Sequence, residues 1–279
     1  MKNVNLIIID PQNDFCHIDG ALFVPGAHDD CVRLAAFIHE NKKTITNITV
    51  TMDNHPRIHI AHPCAWVDHD GNNPKPFTVM YVSDNSIFGM IGQTHENDRE
   101  YFPVMANKNN PFIYHEYIRN LQDNNKDPLC IWPEHCINGD KGQTIEWRVA
   151  DALKQWEYYH FKNVNYVYKG MNPYTEHYGA ICAEVQYQDD SSTTVNNKIL
   201  ASIAGADMTL FAGEALSHCV KHTVKYLMDE YQCLLNSCNV NILRDTTSSV
   251  PGFETDSEKF LVEAQKKGVK IINTKDLQI

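Results

Sequence analysis

A chain of 279 residues with 43% hydrophobic and 10% aromatic side chains holds enough apolar material for a full-sized core, so disordered and fibrous classes drop out. Lys and Arg number 24 against 35 Asp and Glu, and the formal charge of −11 argues against a nucleic-acid binder. No run approaches the roughly 18 uncharged apolar residues of a membrane helix, the start lacks a signal-peptide pattern, and nine scattered cysteines suit free thiols, so the expectation is a cytoplasmic protein.

In chain order, apolar β-rich runs predict strands over residues 4–9 and 44–51, with a helix over 30–40 between them. From 71 to 127 the chain is rich in Asn, Pro and charge, with brief apolar pieces such as 78–82. This stretch reads as a long insertion in a single domain of residues 1–279, serving as a lid or as a contact between copies in a homo-oligomer. Helical spacing returns over 145–158, then a strand over 164–168 and a polar loop over 188–197. Strands over 208–211, 240–243 and 269–272 alternate with helices over 220–231 and 257–267. Continuous apolar runs of this length suit strands covered on both faces, so the alternation predicts the α/β class, a mainly parallel sheet with helices on both faces. There is no internal repeat, heptad series or Gly-rich phosphate loop, and nucleotide binding has no motif behind it.

In such a sheet the ligand crevice lies beyond the carboxyl ends of the strands. Asp10 follows the first run, Asp53 and His55 the second, Lys169 the third, and Cys219 lies just beyond 208–211. Taken singly, an Asp there is a turn or cap residue, a Lys a solvated group and a Cys a small buried hydrophobe. Cys219 is the most informative, because Gly213-Glu214-Ala215-Leu216-Ser217-His218-Cys219-Val220 joins a strand to a helix-patterned segment. Exposed N–H groups and the helix dipole at such a turn favour thiolate and can hold an oxyanion, so one turn could supply both nucleophile and oxyanion hole. Asp10 could accept the thiol proton and Lys169 could stabilise the anions formed. Asp53 and His55 flank one residue in an extended segment and point to the same face; a third His from elsewhere would complete a metal site of mixed O and N ligands.

Asp10-Pro11-Gln12-Asn13-Asp14-Phe15 resembles the opening D-x-Q-N-D-F of the isochorismatase-like cysteine hydrolases, and within them the nicotinamidases. Asp53-Asn54-His55-Pro56-Arg57-Ile58-His59-Ile60 is similar to the D-x-H-P-x-x-H-I segment of metal-containing members. Trp132-Pro133-Glu134-His135-Cys136 matches W-P-x-H-C, Lys169-Gly170 matches K-G, and residues 213–220 match the nucleophile turn G-x-A-x-x-x-C-V. Motifs in this order are far more specific than any one of them. The resemblance spans most of 1–66, 129–180 and 205–250 and leaves 71–127 and 188–197 uncovered.

That resemblance implies a three-layer, doubly wound fold and a catalytic triad of Asp10, Lys169 and Cys219. It implies oxyanion donors at the Ala215 and Cys219 amides and an aromatic slot from Phe15 and Trp132. It also implies one divalent metal, zinc ahead of iron or manganese, on Asp53, His55 and His135, with His59 a candidate fourth ligand and no organic cofactor. The implied activity is cysteine-dependent hydrolysis of a small aromatic amide, nicotinamide first, through a thioester. Another small amide or ureido compound is the alternative substrate, and a non-catalytic metal-binding member is the reading from a different class. In the family the peptide before the Ala is cis, which maps to Glu214–Ala215. Glu214 departs from the usual apolar residue, and its carboxylate would raise the thiol pKa unless it points away or is paired. Tyr178-Gly179-Ala180 departs from Tyr-Ser-Ala.

Overall fold

A run such as Val4–Ile9 leaves almost no polar face for water, so it must be covered on both sides. The computed structural model describes every residue except 1, 93, 94, 96, 97, 106, 108, 109, 278 and 279. In chain order the elements are β1 (Val4–Ile9), α1 (Asn13–Cys16), α2 (Ala27–Asn41), β2 (Ile45–Asp53), β3 (Trp66–Val67), β4 (Val79–Ser83) and β5 (Ser86–Met90). Next come β6 (Arg99–Glu100), β7 (Phe102–Pro103), α3 (Ile113–Asp123), β8 (Leu129–Cys130), α4 (Trp147–His160) and β9 (Asn165–Lys169). The chain ends with α5 (Asn197–Ala204), β10 (Met208–Gly213), α6 (Lys221–Glu230), α7 (Gln232–Ser237), β11 (Asn239–Leu243), α8 (Glu254–Lys266) and β12 (Lys270–Ile272).

The six strands expected from the sequence form one sheet, in the order β12-β11-β10-β1-β2-β9, with every neighbouring pair parallel. Side-chain alternation along β1 divides the core into two layers. Leu6 and Ile8 join Leu34 and Phe37 of α2 and Leu153 and Trp156 of α4. Ile7 and Ile9 join Ile199 of α5, Val224 of α6 and Phe260 of α8 on the opposite face. The sheet is therefore the middle of three layers. Strand order runs outward in both directions from β1, which puts the topological switch point between β1 and β10.

Four of the described helices, α1, α3, α5 and α7, were absent from the sequence-based expectations. In α3 the buried residues Ile113, Tyr114, Tyr117, Ile118 and Leu121 recur at helical spacing, but they sit among Asn and charged residues that dominate the composition of the stretch. Helix α5 begins where the polar run ends, and Asn196 at the end of that run caps it by accepting the Lys198 and Ile199 N–H groups. The short α7 buries only Leu235.

The described residues of segment 71–127 include strands and a helix that pack on the core. Its strands β4 and β5 pair antiparallel, β4 also pairs with β8, and Met80, Ile87 and Tyr117 belong to the same apolar cluster as β1 and α2. No helix among the described residues is long and apolar enough to cross a membrane.

Candidate active site

Parallel pairing sets the carboxyl ends of four strands side by side. Ile9 pairs with Gly213, Ile8 with Val50, and Asp53 at the end of β2 lies directly beside Lys169 at the end of β9. Strand β2 runs two residues further than expected, so Asp53 is its last residue. The Asp10 backbone, at φ +42°, turns out of β1, and its N–H donates to both Thr51 O (3.2 Å) and Thr51 Oγ1 (3.1 Å). The Thr51 hydroxyl donates in return to Asp10 Oδ1 at 2.6 Å, which fixes the carboxylate. Lys169 Nζ lies 2.5 Å from Asp53 Oδ1, 2.9 Å from Asp10 Oδ2 and 3.6 Å from Cys219 Sγ, and it donates to the His177 carbonyl at 3.0 Å. All these side chains are buried.

Two glycines make the close approach feasible. A Cβ on Gly213, where φ is +101°, would lie 1.9 Å from Ile9 O, and one on Gly170, at φ +72°, would lie 2.5 Å from His55 Cε1.

Cys219 lies in a single wide π-type turn, Leu216–Val220, that leads into α6, rather than in the first turn of the α-helix itself. The Glu214–Ala215 peptide is cis. Glu214 is buried against Asp30, Cys31 and Ser248, and its Oε2 accepts the Ser248 N–H at 3.0 Å. The carboxylate therefore points away from the sulfur. Burial pushes the Cys219 thiol well up; Lys169 opposes this, while Asp10 and Asp53 reinforce it. Burial likewise raises Asp10 despite Lys169, whereas Lys169 and His55 overcome burial to hold Asp53 well below the usual carboxylate range. The resting arrangement is thus a neutral thiol beside a proton acceptor and a fixed ammonium. Bond-making at sulfur then requires proton transfer to a neighbour, and Asp10, Asp53 and Cys219 present donor atoms within 4.8 Å of one another.

Asp53, His55 and His135 also present ligand atoms within 4.8 Å of one another. Carbonyls orient both imidazoles: His55 Nδ1 lies 3.0 Å from Gly170 O, and His135 Nδ1 lies 2.8 Å from Pro133 O. A proton on each Nδ1 leaves an Nε2 lone pair for a metal; without one, burial lowers the His55 imidazole but Asp53 outweighs it and raises the pKa. Burial, with His55 and His62 nearby, pushes His135 down to about 3, so that ring is neutral as a ligand must be. The donor set fits a divalent ion.

His59 is fully buried, with its ring centroid 4.6 Å from that of His55, and it belongs with His55 and Glu176 to a second set of ligand atoms within 4.8 Å. Its Nδ1 accepts the Ala61 N–H at 3.2 Å, and its Nε2 is buried without a hydrogen-bond partner among the described residues.

A small cavity of about 30 Å³ joins the two groups of residues, lined by Phe15, Trp132, Asp53, His135, Ala215 and Cys219 among others. Phe15 meets His135 edge-on at 5.4 Å, and Trp132 stands perpendicular to His218 at 5.0 Å. Glu176, His177 and Val250 also line it and were not singled out from the sequence, and neither were Tyr178 and His218 as site residues, though the sequence motifs contain them. His218 adjoins Cys219 and was within reach of the motif. Glu176 and His177 lie on an irregular loop with no periodic signal, and Val250 arrives from the far side of β11. Tyr178 and His218 are shared with a larger neighbouring cleft of about 920 Å³.

No protein-family model matches the chain, and no curated protein does. Among solved structures, the yeast nicotinamidase is 19% identical at a TM-score of 0.64, covering 97% of this chain and 99% of that one. A nicotinamidase and pyrazinamidase from Acinetobacter baumanii is 18% identical at a TM-score of 0.62, covering 100% and 99%. The pyrazinamidase of Pyrococcus horikoshii, solved in complex with zinc, is 17% identical at a TM-score of 0.55, covering 97% and 99%. What the chain shares with these proteins is the fold, which also occurs in an isochorismatase family protein.

Proposed function

We propose that this chain is an amidohydrolase that cleaves the carboxamide of a small aromatic substrate, nicotinamide first among candidates, through a thioester on Cys219. The observation that carries the reading is the buried contact of Lys169 with Asp10, Asp53 and Cys219 at adjacent strand ends, beside a cavity walled by Phe15 and Trp132. Likeness of fold to nicotinamidases supports it. In the first half-reaction Sγ attacks the carboxamide carbon while Asp10 takes the thiol proton. The Ala215 and Cys219 amides would hold the oxyanion. Asp10 then gives that proton to the leaving nitrogen, the C–N bond breaks and ammonia departs. In the second half-reaction water attacks the thioester with Asp10 as base, the C–S bond breaks and Sγ regains a proton, releasing the carboxylic acid. Lys169 holds Asp10 and the sulfur in register and balances negative charge.

Asp53, His55 and His135 would hold a divalent ion, zinc ahead of iron or manganese; when bound it supplies an electrophilic position that a pyridine nitrogen can fill. Trp132 and Phe15 would stack on the ring.

Purified protein should release ammonia from nicotinamide, and a chloromethyl ketone analogue of nicotinamide should label Cys219 alone. General alkylating reagents should instead find Cys233, the exposed member of the nine thiols. Peptide mapping checks both. A Cys219→Ala variant that keeps wild-type turnover would overturn the mechanism.

A further inference from the structure

The nucleophile turn is held from behind by a side chain that the catalytic cycle does not use. Glu214 is 1% exposed, and its Oε2 accepts the Ser248 backbone N–H at 3.0 Å. The Ser248 carbonyl accepts the Leu216 N–H at 2.8 Å, and its hydroxyl donates to Asp30 Oδ2 at 2.5 Å. Two residues on, the Val250 N–H donates to Ser217 Oγ at 3.1 Å, and Val250 lines the catalytic cavity. The loop over 248–250 is thus bonded to the turn over 214–217 at three points, and one end of the loop forms a wall of the site. Asp30 belongs to the first turn of α2 and pairs with Arg33 at 2.6 Å, so the same contacts tie the turn to the opposite layer of the core.

A second acid beside Asp30 in a dry environment is costly unless its proton state adapts. Burial, the Asp30 carboxylate and Cys31 push the Glu214 carboxyl well above its usual range, which favours its protonated form beside Asp30. A neutral carboxyl here keeps its acceptor for Ser248. Apolar side chains of the same size would leave the half-buried Ser248 N–H without that partner.

We propose that Glu214 is a positioning residue, clamping the loop over 248–250 to the nucleophile turn so that the Ala215 amide and the Val250 wall are held against the reacting carbonyl. The inference rests on the function proposed above, because aiming the Ala215 amide matters only where acyl transfer at Cys219 forms an oxyanion there. Glu214 touches neither Sγ nor substrate; it acts through Ser248 and the turn.

Two substitutions separate this role from simple packing. Glu214→Gln keeps an acceptor for the Ser248 N–H, whereas Glu214→Leu keeps bulk and loses it. With nicotinamide, Glu214→Leu should lower kcat about 10-fold while KM moves less than about 3-fold, and Glu214→Gln should return kcat to within about 3-fold of wild type. Affinity for nicotinaldehyde, whose thiol adduct is tetrahedral, should fall along with kcat, while affinity for planar nicotinate should not. In the unliganded protein, amide exchange of the 246–250 peptide should rise about 10-fold in Glu214→Leu and stay near wild type in Glu214→Gln. Wild-type kcat and exchange in Glu214→Leu, or failure of Gln to rescue, would overturn the clamp. If Glu214→Leu does not fold, Glu214→Asp, one methylene too short to reach the Ser248 N–H, should speed exchange of the 246–250 peptide about 3-fold; wild-type exchange in Glu214→Asp overturns the clamp too. A wild-type protein that releases no ammonia from small aromatic carboxamides overturns the proposed function instead, and the catalytic role of Glu214 with it.

Discussion

Lys169 carries a full charge at 1% exposure, with two carboxylates and a sulfur as its neighbours. Burial alone would strip its proton, but Asp10 and Asp53 more than offset that and hold the ammonium well above its usual pKa. The same carboxylates depend on Lys169, because without it two buried acids would face one another across the site. Lys169→Met should therefore cost about 3–5 kcal/mol of stability, as removal of one partner from a buried pair does. Its kcat/KM should fall by about 10³-fold or more, because charge balance at the reacting centre is lost. Urea unfolding and an ammonia assay measure the two effects. Near wild-type turnover in a folded Lys169→Met protein would remove the residue from the mechanism. Asp10, Lys169 and Cys219 each follow an apolar run in the sequence, but singly each reads as an ordinary turn, surface or buried residue, and the resemblance joins them as a proposed triad. Thr51, which fixes the Asp10 carboxylate, was not legible, because nothing local marks one strand threonine as the partner of a residue 41 positions away.

Helix α6 shows how an element next to the site is anchored. His222 lies between Asp127 at 2.9 Å and Glu184 at 3.1 Å, and Lys221 reaches Asp127 at 2.5 Å, so α6 is pinned to the end of the 71–127 segment. Burial pushes the His222 imidazole down, but Glu184 and Asp127 more than compensate and raise it to about 9. The folded pKa thus exceeds the unfolded value of about 6.5. The resulting stabilisation is complete below pH 6.5 and is lost as pH rises through about 9. His222→Gln has no such titration, so the stability gap between wild type and variant should shrink by on the order of 2–4 kcal/mol from pH 6.5 to 9.5. Denaturant curves at a series of pH values check this, and a constant gap would mean that His222 is neutral in the folded protein. At this scale the alternation of strands and helices was legible because it is a local pattern. Helix α3 was hidden: its buried face has helical spacing, but the Asn-rich surroundings masked it.

At the scale of the whole molecule, the candidate metal-ligand set is assembled from distant pieces, Asp53 at the end of β2, His55 just beyond it and His135 after β8, each imidazole oriented by a carbonyl. A ligand that binds only the folded protein stabilises it, so chelation should lower the melting temperature of metal-loaded protein. Chelation, or His135→Ala, should also lower kcat/KM for nicotinamide much more than for benzamide, which lacks the ring nitrogen. Trp132→Ala should weaken both alike, because stacking is indifferent to that atom. Equal losses for the two substrates on chelation would show that the ion does not read the ring.

The sequence by itself determined the six strands, the α/β class and the residue types at the strand ends, because burial on both faces and motif spacing are written locally in the chain. Only the tertiary structure decided that β9 lies beside β2, bringing Lys169 against Asp53 across 116 positions, and that Glu214 turns toward Ser248 rather than the sulfur. It also decided that Glu176, His177 and Val250 enter the cavity. The physical reason is that these contacts follow from strand order and loop packing, which depend on how whole layers cover one another and leave no periodic trace in the residues that meet.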